Sequence, residues 1–164
     1  MSETLEQSFV KQLQENQNII HKICRLYTTD SDAHNDLFQE ITIQLWKAFP
    51  KFRGESKFST WAYRVALNTA ITLYRKKKRS VSTVSYEAQQ HFFVQDEYNL
   101  EEEERIKLMY QAVQQLNDIE KALVFMYLED KDYTEIAETL GISEVNARVK
   151  MNRIKGKLIK ILNP

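Results

Sequence analysis

Apolar side chains recur every three or four residues along nearly the whole chain. Leu5, Phe9, Leu13, Asn16, Ile20, Ile23 and Tyr27 trace one long amphipathic helix, which the turn and capping residues at 28–32 bring to an end. Leu37, Ile41, Leu45 and Ala48 give the core stripe of a second helix over about 33–49, and Pro50 stops it. The stretch 57–79 contains neither Gly nor Pro and predicts a third helix. Ala62, Val65, Ala66, Thr69 and Leu73 fall on one side of it, and Thr60, Arg64, Asn68, Ile71 and Arg75 on the other.

Past residue 100 the helical spacing returns. Ile106, Met109, Val113 and Leu116 form a stripe, and Asn117 with Glu120 matches a capping box. That box opens a helix with Ile119, Leu123, Met126 and Tyr127 facing inward. Asp132 and Glu135 repeat the signal ahead of a shorter helix through Leu140. Gly141 suits the left-handed residue that closes a helix, and Ser143 caps the next one. In that last helix Ala147, Met151, Ile154 and Leu158 are the core stripe, while Asn146, Lys150, Arg153, Lys157 and Lys160 make a basic face. Few runs alternate as a strand does, and the chain has 3 Gly and 2 Pro in 164 residues. The expected class is all-α, in two small helical domains at 1–80 and 105–164 joined by an acidic linker at 81–104.

Charge sharpens this division. The formal net charge is zero, yet residues 51–80 carry nine cations against one anion, 81–104 seven anions and no cation, and 142–164 six cations against one anion. Two basic blocks separated by an acidic one point to two sites for a polyanion. The linker also holds Tyr86, Phe92, Phe93 and Tyr98, which can anchor it in a groove or on a flanking domain.

The candidate chemistry is that of binding. Phe52 and Phe58 flank a polar loop at 53–57 that leads into the basic helix ending in Arg75, Lys76, Lys77, Lys78 and Arg79. Aromatic rings beside cations can hold unstacked bases, the rings on base faces and the cations on phosphates. On the second helix the outward face carries Asp36, Gln39, Glu40, Ile43, Trp46 and Lys47. Two large apolar residues among charges suit an anchor with a polar rim for a protein partner. The short helix, Gly turn and basic helix over 132–160 read as a helix-turn-helix, whose second helix enters the major groove.

Other classes lack their signatures. There is no Gly-rich phosphate loop, nucleophile elbow or metal-ligand cluster, so neither an enzyme nor a cofactor is expected, and no small-molecule substrate. Cys24, the one cysteine, is expected to be a small buried hydrophobe. The first residues do not read as a signal peptide and no run is long enough to span a membrane, so a cytoplasmic location is expected.

Four stretches, in this order, resemble the extracytoplasmic-function (ECF) sigma factors of the sigma-70 family. DLFQEITIQLW (36–46) resembles the family's polymerase-clamp-binding helix. FSTWAYRVALNTAITLYRKKKR (58–79) resembles its promoter-melting and −10-reading helix. LNDIEKALVFMYLED (116–130) and DYTEIAETLGISEVNARVKMNRIKGKL (132–158) are similar to its −35-reading helix-turn-helix and the helix before it.

The resemblance implies a sigma factor that binds core RNA polymerase and directs promoter recognition, melting and initiation. Asp36, Gln39, Glu40, Ile43 and Trp46 would meet the polymerase. Lys57, Phe58, Ser59, Thr60, Trp61, Arg64, Asn68 and Arg75 would meet the −10 strand. Ser143, Glu144, Asn146, Arg148, Val149, Lys150 and Arg153 would meet the −35 duplex, Val149 standing where the family often has Ser or Thr. By helical projection Val149 lies beside Asn146, Lys150 and Arg153, where its apolar side chain suits a thymine methyl. It further implies a membrane-linked anti-sigma factor as a partner, and a linker lying in the polymerase's basic RNA channel. The alternative is a helix-turn-helix regulator that does not act through core polymerase.

Overall fold

The computed structural model describes residues 2–80 and 100–164. It is helical, with no strand among the described residues: α1 (Leu5–Tyr27), α2 (Ser31–Ala48), a 3-10 turn (Phe49–Lys51), α3 (Phe58–Ser80), α4 (Leu100–Gln114), α5 (Asp118–Leu128), α6 (Tyr133–Leu140) and α7 (Glu144–Leu162). Packing divides the chain into two units, one built on α1–α3 and one on α4–α7.

The helices α1, α2, α5, α6 and α7 each start where a side chain takes up a free backbone donor. Thr4 and Asn117 form full capping boxes with Gln7 and Glu120. Asp30 accepts from the Ala33 N–H at 2.8 Å, which starts α2 at Ser31, two residues before the apolar pattern becomes legible. Asp132 accepts from the Glu135 N–H at 2.8 Å, and Ser143 Oγ from the Asn146 N–H at 3.1 Å. Each such cap contributes about 1 kcal/mol.

In the first unit α3 packs against both α1 and α2. Ile20, Ile23 and Cys24 of α1, Leu37, Ile41 and Leu45 of α2, and Ala62, Ala66, Leu67 and Ala70 of α3 are buried. Because α3 meets two helices, its buried face is wider than a single stripe. Ile71, expected on the outward row, is 6% exposed and belongs to the core, as does Tyr63, while Val65, Thr69 and Leu73 are only half-buried at the edges. Leu5, expected inward, lies beyond the reach of the bundle and is exposed. Cys24 is buried, and burial pushes its thiol up to about 12, so it stays neutral and unreactive.

A histidine pair ties α1 to α2: His21 Nδ1 and His34 Nε2 are 2.9 Å apart, and the His21 ring stacks on Phe38 at 4.5 Å. Burial and then Arg25 lower His21 from the usual 6.5; burial, His21 and then Arg25 lower His34. One nitrogen must accept in this contact, so it requires at least one neutral ring.

In the second unit α7 packs against α4, α5 and α6, and α5 is the most deeply buried helix. Ala122, Leu123, Val124, Phe125 and Met126 are all buried, because α6 and α7 cover it from different sides. Tyr127, expected inward, is exposed; its ring instead carries Lys155 Nζ at 4.8 Å. Ile106, midway along α4, is also exposed. The acidic run at 101–104, assigned to the linker by composition, lies in α4. Glu101, Glu102 and Glu103 fill its first turn, where carboxylates complement the positive helix end. The aromatic residues at 86, 92, 93 and 98 lie outside the described residues.

Candidate partner and nucleic-acid interfaces

Three surfaces gather the residues singled out by the sequence. On α2, Asp36, Gln39 and Ile43 are exposed and Glu40 is half-buried, its Oε1 accepting from Gln44 Nε2 at 2.9 Å. Ile43 is 45% exposed and faces outward among these polar groups. Trp46 is 40% exposed, but its ring also lies 5.1 Å from Phe9 of α1. Trp46 sits at the edge of the strip, so one face packs and the other is open.

The second surface is the loop before α3. Residues 53–57 are all exposed, and Gly54 has φ +72, a turn conformation that side-chain-bearing residues rarely adopt. Beneath the loop lies an aromatic cluster. Phe52 and Trp61 are 4.9 Å apart, Phe58 and Trp61 5.3 Å, Phe52 and Phe58 5.9 Å, and Phe49 joins them at 6.2 Å from Phe58. Phe58 does not reach the surface: it is 7% exposed. Phe58 is enclosed, and Trp61 and Phe52 are half-buried rings of the cluster with surface left open. Phe52 was recognised in the sequence only as a flank. Lys57 is exposed beside this opening, and Ser59 and Thr60 are half-buried at its rim. Along α3, Arg64, Asn68 and Arg75 share the outward side, followed by the exposed cations Lys76, Lys77, Lys78 and Arg79.

The third surface is α7, with the turn that precedes it. Gly141 closes α6 at φ +69, its N–H donating to the Ala137 carbonyl, and Ser143 begins α7 two residues later. Ala147, Met151, Ile154 and Leu158 are buried, as their spacing predicted. Away from them Asn146, Val149 and Arg153 are exposed, Lys150 is half-buried at the flank, and Ser143 is exposed at the N-cap. Two of the predicted residues engage each other: Arg148 donates to Glu144 Oε1 at 2.9 Å, and Thr134 donates to Glu144 Oε2 at 3.2 Å. These two hydrogen bonds, Arg148 first, hold Glu144 below the usual carboxylate range. The Arg148 guanidinium also lies 4.6 Å over the Tyr133 ring. The cluster fixes the first turn of α7 against α6. Sequence reasoning missed Tyr133, and also Val145, which is 72% exposed one turn before Val149. Projection at about 100° per residue from the core stripe would have found Val145.

Comparison with known proteins assigns both units. A family model described as Sigma-70 region 2 matches residues 13–80, and one described as Sigma-70, region 4, matches residues 106–158. The RNA polymerase sigma-H factor of Pseudomonas aeruginosa is 29% identical over 158 residues, covering 88% of this chain and 82% of that protein. The ECF RNA polymerase sigma-E factor of Haemophilus influenzae is 25% identical over 159 residues, covering 90% and 84%. Among solved structures, the sigma factor RpoE in complex with the anti-sigma factor NepR from Bartonella quintana matches with a TM-score of 0.77. It is 16% identical, covering 94% of this chain and 96% of that one. CnrH in complex with the cytosolic domain of CnrY matches with a TM-score of 0.66 and 18% identity, covering 96% and 89%.

Proposed function

The chain belongs to the sigma-70 family, in its extracytoplasmic-function branch, and from that premise we propose a residue-level division of its work. It is an RNA polymerase sigma factor, and its partners are core RNA polymerase and promoter DNA. Residues 1–80 serve the polymerase and the −10 element, residues 105–164 the −35 element, and residues 81–104 join them.

The polymerase docks on Asp36, Gln39, Glu40, Ile43 and Trp46. The observation that carries this is Ile43, a large apolar side chain held open to solvent in a strip of polar groups. Such an anchor within a polar rim is the usual anatomy of a protein interface. The −10 strand is held at Lys57, Ser59, Thr60 and Trp61 and along Arg64, Asn68 and Arg75. Flipping a base from the stack costs a few kcal/mol, which stacking on Trp61 and Phe52 offsets. The −35 duplex meets Ser143, Glu144, Asn146, Arg148, Val149, Lys150 and Arg153. With Arg148 already paired to Glu144, phosphate contact rests mainly on Lys150 and Arg153.

The chain acts by binding and not by catalysis, in the cytoplasm. In support, no helix among the described residues is long and apolar enough to cross a membrane. An anti-sigma factor, membrane-linked, is a further partner in this reading; the solved relative RpoE is held in complex with the anti-sigma factor NepR. A helix-turn-helix regulator independent of polymerase would have no use for the α2 strip.

Two DNA-binding units on one chain gain from bivalency only when their spacing is set. Promoter affinity is therefore expected to be about a hundredfold or more higher with core polymerase than for the free chain. It should fall steeply between 50 and 200 mM salt, as binding through several phosphates requires. Equal affinity with and without polymerase, measured by titration on one promoter fragment, would reject the division of work.

A further inference from the structure

The α7 surface has a feature that cations do not explain. Taking about 100° per residue, the direction diametrically opposite Ala147, Met151, Ile154 and Leu158 falls between Val145 and Val149. The outermost line of the helix in its first two turns is thus apolar. Val145 is the most exposed large hydrophobic residue of the described chain at 72%, and Val149 is 43% exposed. Arg148 borders the line on one side and Asn146 and Lys150 on the other, while Arg153 continues it. Two branched side chains one turn apart at such exposure make an apolar strip, and covering it with an apolar group is favourable. The occupant has to lie where cations flank it. A phosphate-lined groove with apolar groups on its floor meets that demand, and the major groove offers one apolar group there, the thymine 5-methyl.

We propose that Val145 and Val149 together read two thymine methyl groups in the −35 element, with Val145 a specificity-determining residue in its own right. The proposal rests on α7 being the −35-reading helix. Side chains at i and i+4 stand about 5–6 Å apart, and stacked bases rise about 3.4 Å along a strand. The pair can therefore address two base pairs separated by one or two steps. Neither valine can donate or accept a hydrogen bond, so the discrimination is for the methyl alone. The Glu144–Arg148–Tyr133 cluster holds the first turn in place, which keeps Val145 at a fixed depth although the side chain itself is unpacked.

The test uses the full chain reconstituted with core RNA polymerase. The preferred −35 sequence is first selected from randomised duplexes. Each thymine in it is then replaced singly by deoxyuridine, which removes only the methyl. The wild type is expected to lose about fourfold in affinity at each of two positions, the worth of one buried methyl. Val145→Ala should abolish that loss at one position and leave the other, and Val149→Ala should do the reverse. Val145→Thr, which keeps the shape, guards against a change in helix geometry, and thermal midpoints should be unchanged. An equal deoxyuridine loss in the wild type and Val145→Ala would overturn the proposal, as would a weakening by Val145→Ala that is the same at every position. If the holoenzyme selects no −35 sequence at all, the assignment of α7 itself falls; if it selects one that is indifferent to deoxyuridine, only the valine pair falls.

Discussion

Ile43→Glu is expected to lower affinity for core RNA polymerase by about thirtyfold or more, the loss typical of an interface anchor. Folding should be unaffected, because Ile43 is open to solvent and outside the core. Trp46→Ala should also weaken the complex, but for two reasons that can be separated. It removes the open face of the indole from the partner and its packed face from Phe9, 5.1 Å away. The first loss appears only in polymerase binding, the second also in the thermal midpoint. The ring of Phe9 continues to Phe49 at 5.2 Å, so the packing loss reaches the cluster under the loop. Comparing the two variants by polymerase titration and thermal unfolding separates interface from support. Wild-type affinity in Ile43→Glu would remove α2 from the interface, whatever Trp46→Ala does.

Phe58→Ala should destabilise the first unit by about 3–5 kcal/mol, the range for truncating a buried aromatic ring. For a unit of this size that corresponds to a fall in thermal midpoint of roughly 12 °C or more. Phe58 is enclosed by Phe49, Phe52 and Trp61, so no neighbour can readily fill the space. Substitutions at Lys57, Ser59 and Thr60, at the surface and rim of the same loop, should leave stability within about 0.5 kcal/mol. These three are expected instead to change which base is preferred in a saturated −10 library. The contrast is the informative part. A Phe58→Ala variant that melts like the wild type would mean the cluster does not hold the loop. Unchanged base choice in all three rim variants would place the strand elsewhere.

Helices were legible because their apolar spacing and their caps agree. Asn117 with Glu120, Asp132, Gly141 and Ser143 each do in the structure what their position in the sequence implies. The α7 core stripe was legible for a simple reason: one face of that helix packs and the rest is open. The errors lie where the buried face is wider or narrower than the stripe read from the spacing. Ile71 was assigned outward because α3 was read as having a single buried stripe, whereas α1 and α2 both cover it. Tyr127 was assigned inward, but its hydroxyl and ring serve Lys155 at the surface.

Site residues follow the same rule. Arg64, Asn68 and Ile43 face outward as their spacing implies. Phe58 was placed at the strand by its position next to a polar loop, and its neighbours in space enclose it. The pairing of Arg148 with Glu144 was available from their i, i+4 spacing. The Tyr133 ring beneath Arg148 was not, since it comes from another helix.

The most direct measurement of the central claim is run-off transcription by core RNA polymerase on fragmented genomic DNA of the source organism, with and without the purified chain. The account predicts discrete transcripts that appear only when the chain is added. Their start sites should share one −10 and one −35 sequence, and Ile43→Glu should suppress them all together. A transcript pattern unchanged by the chain, or transcripts that Ile43→Glu leaves at full yield, would contradict it.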